Sequence, residues 1–193
     1  MKKLLLLICA GLLLTACGGG NKLTIKYDGK EIPFEAKSGW ITAQEALYGS
    51  SAKVSNENHC LRWITLRNYD YQVKSALSAN EGSLGEGQIK LFLSFHDQPG
   101  TTATTPLKPA AYNGANEGPM EFEFINLTVF EDGKEVSRRV SLGGQDKQKR
   151  KEAEVKILSV TDDAITGEVN ADVKVDGKEL LIKGPFTAKI FKN

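Results

Sequence analysis

The sequence predicts an all-β fold, an antiparallel β-sandwich of several hairpins with a β-barrel as the alternative and little helix. Two observations carry this. Beyond residue 21, apolar and polar residues alternate with period two in segment after segment, and the tetrapeptide Asp-Gly-Lys-Glu ends three of these segments, at Asp28, Asp132 and Asp176. A strand sends successive side chains to opposite faces, so a half-buried strand reads as strict alternation. Asp-Gly between two such runs marks a two-residue hairpin, because the turns that match strand twist need positive φ at both central positions.

Taken in order, Leu23, Ile25 and Tyr27 alternate with Lys22, Thr24 and Lys26. A turn tip at Asp28-Gly29 sets Ile25 opposite Ile32 and Leu23 opposite Phe34, which puts both apolar sets on one face. The best helical candidate is Ile41 to Tyr48, where Thr42-Ala43-Gln44-Glu45 fits a capping box and Gly49 is placed to end the turn. Ile89, Leu91, Leu93 and Phe95 form another alternating strand. The stretch from Pro99 to Pro119 is long, irregular and almost uncharged, the composition of a binding loop. The alternation then changes phase between Phe124 and Ile125, as a bulge or a strand changing sheets would require. The tip at Asp132-Gly133 faces Val129 with Val136. A short helical turn is expected near Asp146 to Glu154, and the last hairpin, around Asp176-Gly177, faces Val173 with Leu180 and Ala171 with Ile182. The three tips are unevenly spaced, so they mark recurring turn chemistry and not a solenoid repeat.

The N-terminus has a different character. Lys2 and Lys3 precede an apolar run of about eleven residues, Leu4 to Leu14, too short for the roughly twenty helical residues that cross a bilayer. Leu14-Thr15-Ala16-Cys17 resembles the lipobox of bacterial lipoproteins. That resemblance implies cleavage before Cys17 and acylation of its thiol, with residues 1–16 as signal peptide, 17–22 as lipidated cysteine and Gly-rich tether, and 23–193 as one β-rich domain. Two or three acyl chains anchor stably where one does not. Gly18-Gly19-Gly20-Asn21 holds the domain within about 15–20 Å of the bilayer. Gly18 after the cysteine resembles the outer-membrane class if the source is Gram-negative.

Composition narrows the partners. Without Lys2 and Lys3, 25 basic residues become 23 against 24 acidic, a mature charge of about −1 that argues against nucleic acid. With Cys9 removed and Cys17 acylated, Cys60 has no disulfide partner in the chain, and beside Leu61 and Trp63 it reads as a small buried hydrophobe.

The search for chemistry finds no catalytic motif, no metal-ligand spacing and no cofactor signature. The histidines are His59 and His96. His96-Asp97 reads poorly as a base and its orienting carboxylate, since neighbours in a strand point to opposite faces; His96 falls on the polar side and is expected at the surface. Gly82 to Gly87 and Gly143-Gly144 read as turns, and Asn126-Leu127-Thr128 as a chance match to a glycosylation acceptor. Asp162, Asp163, Glu168, Asp172 and Asp176 gather near the C-terminal hairpins without calcium-loop spacing. Lys134, Arg138, Arg139, Lys147, Lys149, Arg150 and Lys151 form a candidate anion-binding patch. Tyr112, in the long irregular stretch, is the candidate contact for a neutral partner.

The C-terminal stretch, with its turn at Asp162-Asp163, the segment Ile165 to Val169, the Asp-Gly hairpin and Gly184-Pro185-Phe186-Thr187-Ala188, resembles the end of uncharacterised β-rich domains in bacterial lipoproteins and secreted proteins. No activity follows from the likeness. The expected function is a noncatalytic envelope lipoprotein, held to the membrane by its N-terminal lipid, that binds or scaffolds an envelope protein, a glycan or an anionic lipid. The alternatives are an envelope hydrolase acting on glycan or lipid, and a structural subunit of an envelope complex.

Overall fold

The computed structural model describes residues 22–45, 59–74 and 82–191. These residues form an all-β protein with little helix. The strands are β1 (Lys22–Tyr27), β2 (Lys30–Glu35), β3 (Ser38–Glu45), β4 (Cys60–Arg67), β5 (Ile89–His96), β6 (Ala110–Asn113), β7 (Phe122–Glu131), β8 (Lys134–Ser141), β9 (Glu154–Val160), β10 (Ala164–Val175) and β11 (Lys178–Ile190). An α-helix, α1 (Lys147–Glu152), lies between β8 and β9, where a helical turn was expected, and the Asp146 carboxylate caps it by accepting from the Gln148 and Lys149 N–H groups.

A single hydrogen-bonded path runs β6-β9-β10-β11-β3-β4-β5-β7-β8, with β1 paired to β11 and β2 to β1. Asn113 of β6 makes an isolated parallel bridge to Glu121, just ahead of β7. The sheet departs from the antiparallel expectation at one place, where β11 runs parallel to β3 over Lys189↔Trp40 and Ile190↔Ile41. Pro33, which has no N–H to donate, sits in β2, which among the described residues pairs only with β1.

The three Asp-Gly tips have the expected form. Asp28, Asp132 and Asp176 all have φ of 51°, and the glycines after them have φ of 75°, 75° and 79°. Positive φ at both central residues is the type I′ turn, and it fixes the registers: Ile25↔Ile32, Leu23↔Phe34, Val129↔Val136, Val173↔Leu180 and Ala171↔Ile182 are paired. The phase change in β7 is a bulge. Ser94 pairs with Phe124 and Phe95 with Phe122, which leaves Glu123 as the extra residue. A second register shift lies at Thr166/Gly167, where a Cβ on Gly167 would fall 2.4 Å from both the Lys156 carbonyl oxygen and Phe186 Cζ.

The helix expected from Ile41 to Tyr48 is not there. Residues 41–45 belong to β3, which pairs with β4 along its whole length from Ser38↔Arg67 to Glu45↔Cys60; residues 46–48 lie outside the described residues. A capping box can stabilise only a helix that has paid for its own nucleation, and eight ladder positions outweigh two turns. The inward-facing residues of the strands merge into one apolar core that includes Ile25, Leu91, Phe95, Tyr112, Phe122 and Phe186.

Candidate functional site at the polar end of the sheet

The chemistry gathers where β5 ends. His96 and Asp97 are consecutive, and their side chains make separate networks, as the alternation of an extended chain requires. Asp97 is buried and its backbone N–H donates to the Cys60 carbonyl at 2.8 Å, which ties the end of β5 to the start of β4. Its Oδ2 accepts from Arg62 Nε and Nη2, both at 2.9 Å. Its Oδ1 accepts from the Tyr112 hydroxyl at 3.2 Å and from the Gln98 N–H at 2.8 Å. Arg62 Nη2 also donates to the Thr105 carbonyl, pinning the segment after β5 over the end of the core. Side-chain exposure is 8 % for Arg62 and 3 % for Asp97, so each charge depends on the other for compensation. Burial, the adjacent Asp97 charge and the hydrogen bond to it together push the Tyr112 phenol far above its ordinary range, so it remains a donor.

On the other side of β5, His96 Nδ1 lies 2.8 Å from His59 Nε2, and both residues are buried. Glu123, the bulge residue, sits 3.7 Å from His96 Nε2 and accepts from the Ser94 hydroxyl at 2.9 Å. Burial lowers the pKa of His96; the Glu123 carboxylate works against that, and the neighbouring His59 adds to it. Among the described residues no three His, Cys, Asp or Glu side chains are grouped to hold a metal ion.

A cavity of about 430 Å³ opens beside Arg62. Its origin is topological. The pairing of β11 with β3 stops after Ile190, with Phe191 N–H donating to the Ile41 carbonyl as the last link, and the segment 103–107 spans the gap that follows. Ile41, Ala43, Leu107, Ile190 and Phe191 give it apolar surface, while Arg62, Thr42, Thr104, Thr105 and Thr161 contribute polar groups and Asp162 is an exposed lining residue. The volume falls within the range of small-molecule sites. A second cleft, of about 330 Å³, is lined by Glu154 and Glu168, but Glu154 is paired with Lys156 at 2.7 Å.

Several sequence-derived candidates are placed differently. Tyr112 is not a loop contact: it lies in β6, fully buried, its ring 4.3 Å from that of Phe95, and it offers no surface to a partner. His96 is not a surface histidine but 6 % exposed, because residues on both faces of β5 near its end are buried. Cys60 is buried, as expected. The basic residues do not form one free patch. Arg138 is held by Glu131 at 2.7 Å and lies over the Tyr27 ring, Arg139 lies over Phe124, Lys149 bridges Asp172 and Glu179, and Arg150 Nε donates to the Gly114 carbonyl. Lys147 and Lys151 are exposed on α1. Asp172 is thus one of Lys149's partners. Cys17 lies outside the described residues. Sequence reasoning missed Arg62; a charged residue between Leu61 and Trp63 in an otherwise apolar run was the available signal.

The described residues therefore define an all-β protein whose ligand-sized cavity has a buried guanidinium in its wall. No protein-family model, no curated protein and no solved structure matches the chain.

Proposed function

We propose that the chain is a lipid-anchored protein of the bacterial cell envelope whose β domain binds a ligand and is not an enzyme. The observation that carries the binding half is the cavity beside Arg62, of small-molecule size and lined by apolar and polar groups in similar measure, with a buried guanidinium in its wall. The lipobox at Leu14 to Cys17 supports the anchor. The polar groups nearest the cavity favour holding over turnover: Asp97 is saturated by Arg62, Tyr112 and Gln98, and His96 lies on the opposite face, paired with His59. A panel of hydrolase assays on glycan, ester and peptide substrates is the test. The expected result is no turnover above buffer; turnover abolished by His96→Ala or Asp97→Asn would overturn the proposal.

A further inference from the structure

Resting on the binding reading above, we infer that the cavity takes an amphipathic carboxylate, with an acyl-type apolar body against the walls and its single acidic head on Arg62. A guanidinium carries five N–H donors. Nε and Nη2 of Arg62 are committed to Asp97 and the Thr105 carbonyl, whereas Nη1 has no hydrogen bond among the described residues and is not among the buried atoms left without a partner. Arg62 lines the cavity while only 6 % exposed, and a charge-assisted hydrogen bond from its guanidinium to a carboxylate is stronger than a neutral one.

Asp97 does not compete for that donor, since its Oδ2 takes the Nε and Nη2 edge and its Oδ1 is filled by Tyr112 and Gln98. The rest of the wall selects the body. Ile41, Ala43, Leu107, Ile190 and Phe191 present aliphatic and aromatic carbon that an acyl chain can cover, beside the hydroxyl-bearing Thr42, Thr104 and Thr161. Asp162 is the one carboxylate of the lining, and it is exposed; its charge disfavours additional acidic groups, so the ligand class is a monoacid and not a polyanion.

The test is calorimetric titration of the full-length, unacylated Cys17→Ser chain with sodium octanoate and, separately, with 1-octanol, which shares the body and lacks the charge. Because Arg62 variants lose a buried ion pair and are prone to unfold, the discriminating variant is Ala43→Phe, which fills the cavity from the position paired with Arg62 across β3 and β4. Saturable 1:1 octanoate binding, at least tenfold weaker binding of octanol, and at least tenfold weaker octanoate binding by a folded Ala43→Phe protein are expected. Pro106→Trp, on the spanning segment, replaces Ala43→Phe with the same expectation if the latter does not fold. No saturable octanoate binding, equal binding of octanol, or wild-type binding by the folded cavity-filling variant would overturn the inference. Such a failure removes the ligand class and leaves the anchored-binder reading standing, whereas turnover in the hydrolase panel removes that reading itself.

Discussion

His59 Nε2 and His96 Nδ1 face each other across 2.8 Å in a buried setting, so one imidazole donates the proton that the other accepts. Adding a second proton turns both nitrogens into donors and breaks the bond. His96 has a pKa below the ordinary 6.5, with burial as the main cause. A base depressed in the folded state binds its proton more readily in the unfolded chain. Stability is therefore full above about pH 6.5 and falls as pH drops from there toward the folded-state value. Urea denaturation at pH 7.5 and pH 5 is expected to show a lower midpoint in acid for wild type and a smaller difference for His96→Gln. Equal differences in the two proteins would show that the pair does not sense pH.

Arg62 and Asp97 make a different prediction. Removing one partner of a buried ion pair strands the other charge, which costs about 3–5 kcal/mol. Asp97→Ala is expected to lose that much in denaturant titration, and Arg62→Met with Asp97→Leu to regain a large part of it. A loss under about 1 kcal/mol for Asp97→Ala, the range of exposed pairs, would mean that water reaches the pair.

Tyr112 tests the placement of β6. Truncating a buried aromatic costs about 3–5 kcal/mol, and deleting only its hydroxyl costs about 1 kcal/mol. Tyr112→Ala is expected to destabilise the fold heavily and Tyr112→Phe slightly. A Tyr112→Ala protein as stable as wild type would return this residue to a surface loop.

The glycines separate backbone conformation from space. Gly177 has φ of +79° with nothing within 4 Å of an added Cβ, so Gly177→Ala meets only the left-handed penalty of about 1–2 kcal/mol. At Gly167 a Cβ would collide with the Lys156 backbone oxygen and the Phe186 ring. Gly167→Ala is expected to lower the melting temperature more than Gly177→Ala does; the reverse order would contradict the packing of β9 on β10.

These placements show which parts of the molecule are written locally. Asp176-Gly177 specifies its hairpin within a few residues, because turn type sets register and register sets the buried face. The bulge at Glu123 was visible for a related reason: one inserted residue inverts the alternation. Nothing local announces that β11 will run parallel to β3, since Trp40 and Lys189 are far apart in the chain and meet only in the folded sheet. The pairing of His59 with His96 was not legible, and His96 was expected at the surface, because each is judged alone by its neighbours, whereas the two meet from distant segments. The Thr42 to Glu45 capping box misled because a local helix signal was overridden by the β4 ladder. Tyr112 misled because Gly-, Pro- and Asn-rich flanks hid a four-residue strand.

The proposed lipid anchor is tested most directly by mass spectrometry of the mature N-terminus from fractionated cells. The predicted result is a membrane-associated chain beginning at an acylated Cys17, with Cys17→Ser incorporating no labelled fatty acid and leaving a precursor that retains residues 1–16. A mature start elsewhere, or fatty-acid incorporation by the Cys17→Ser protein, would contradict it.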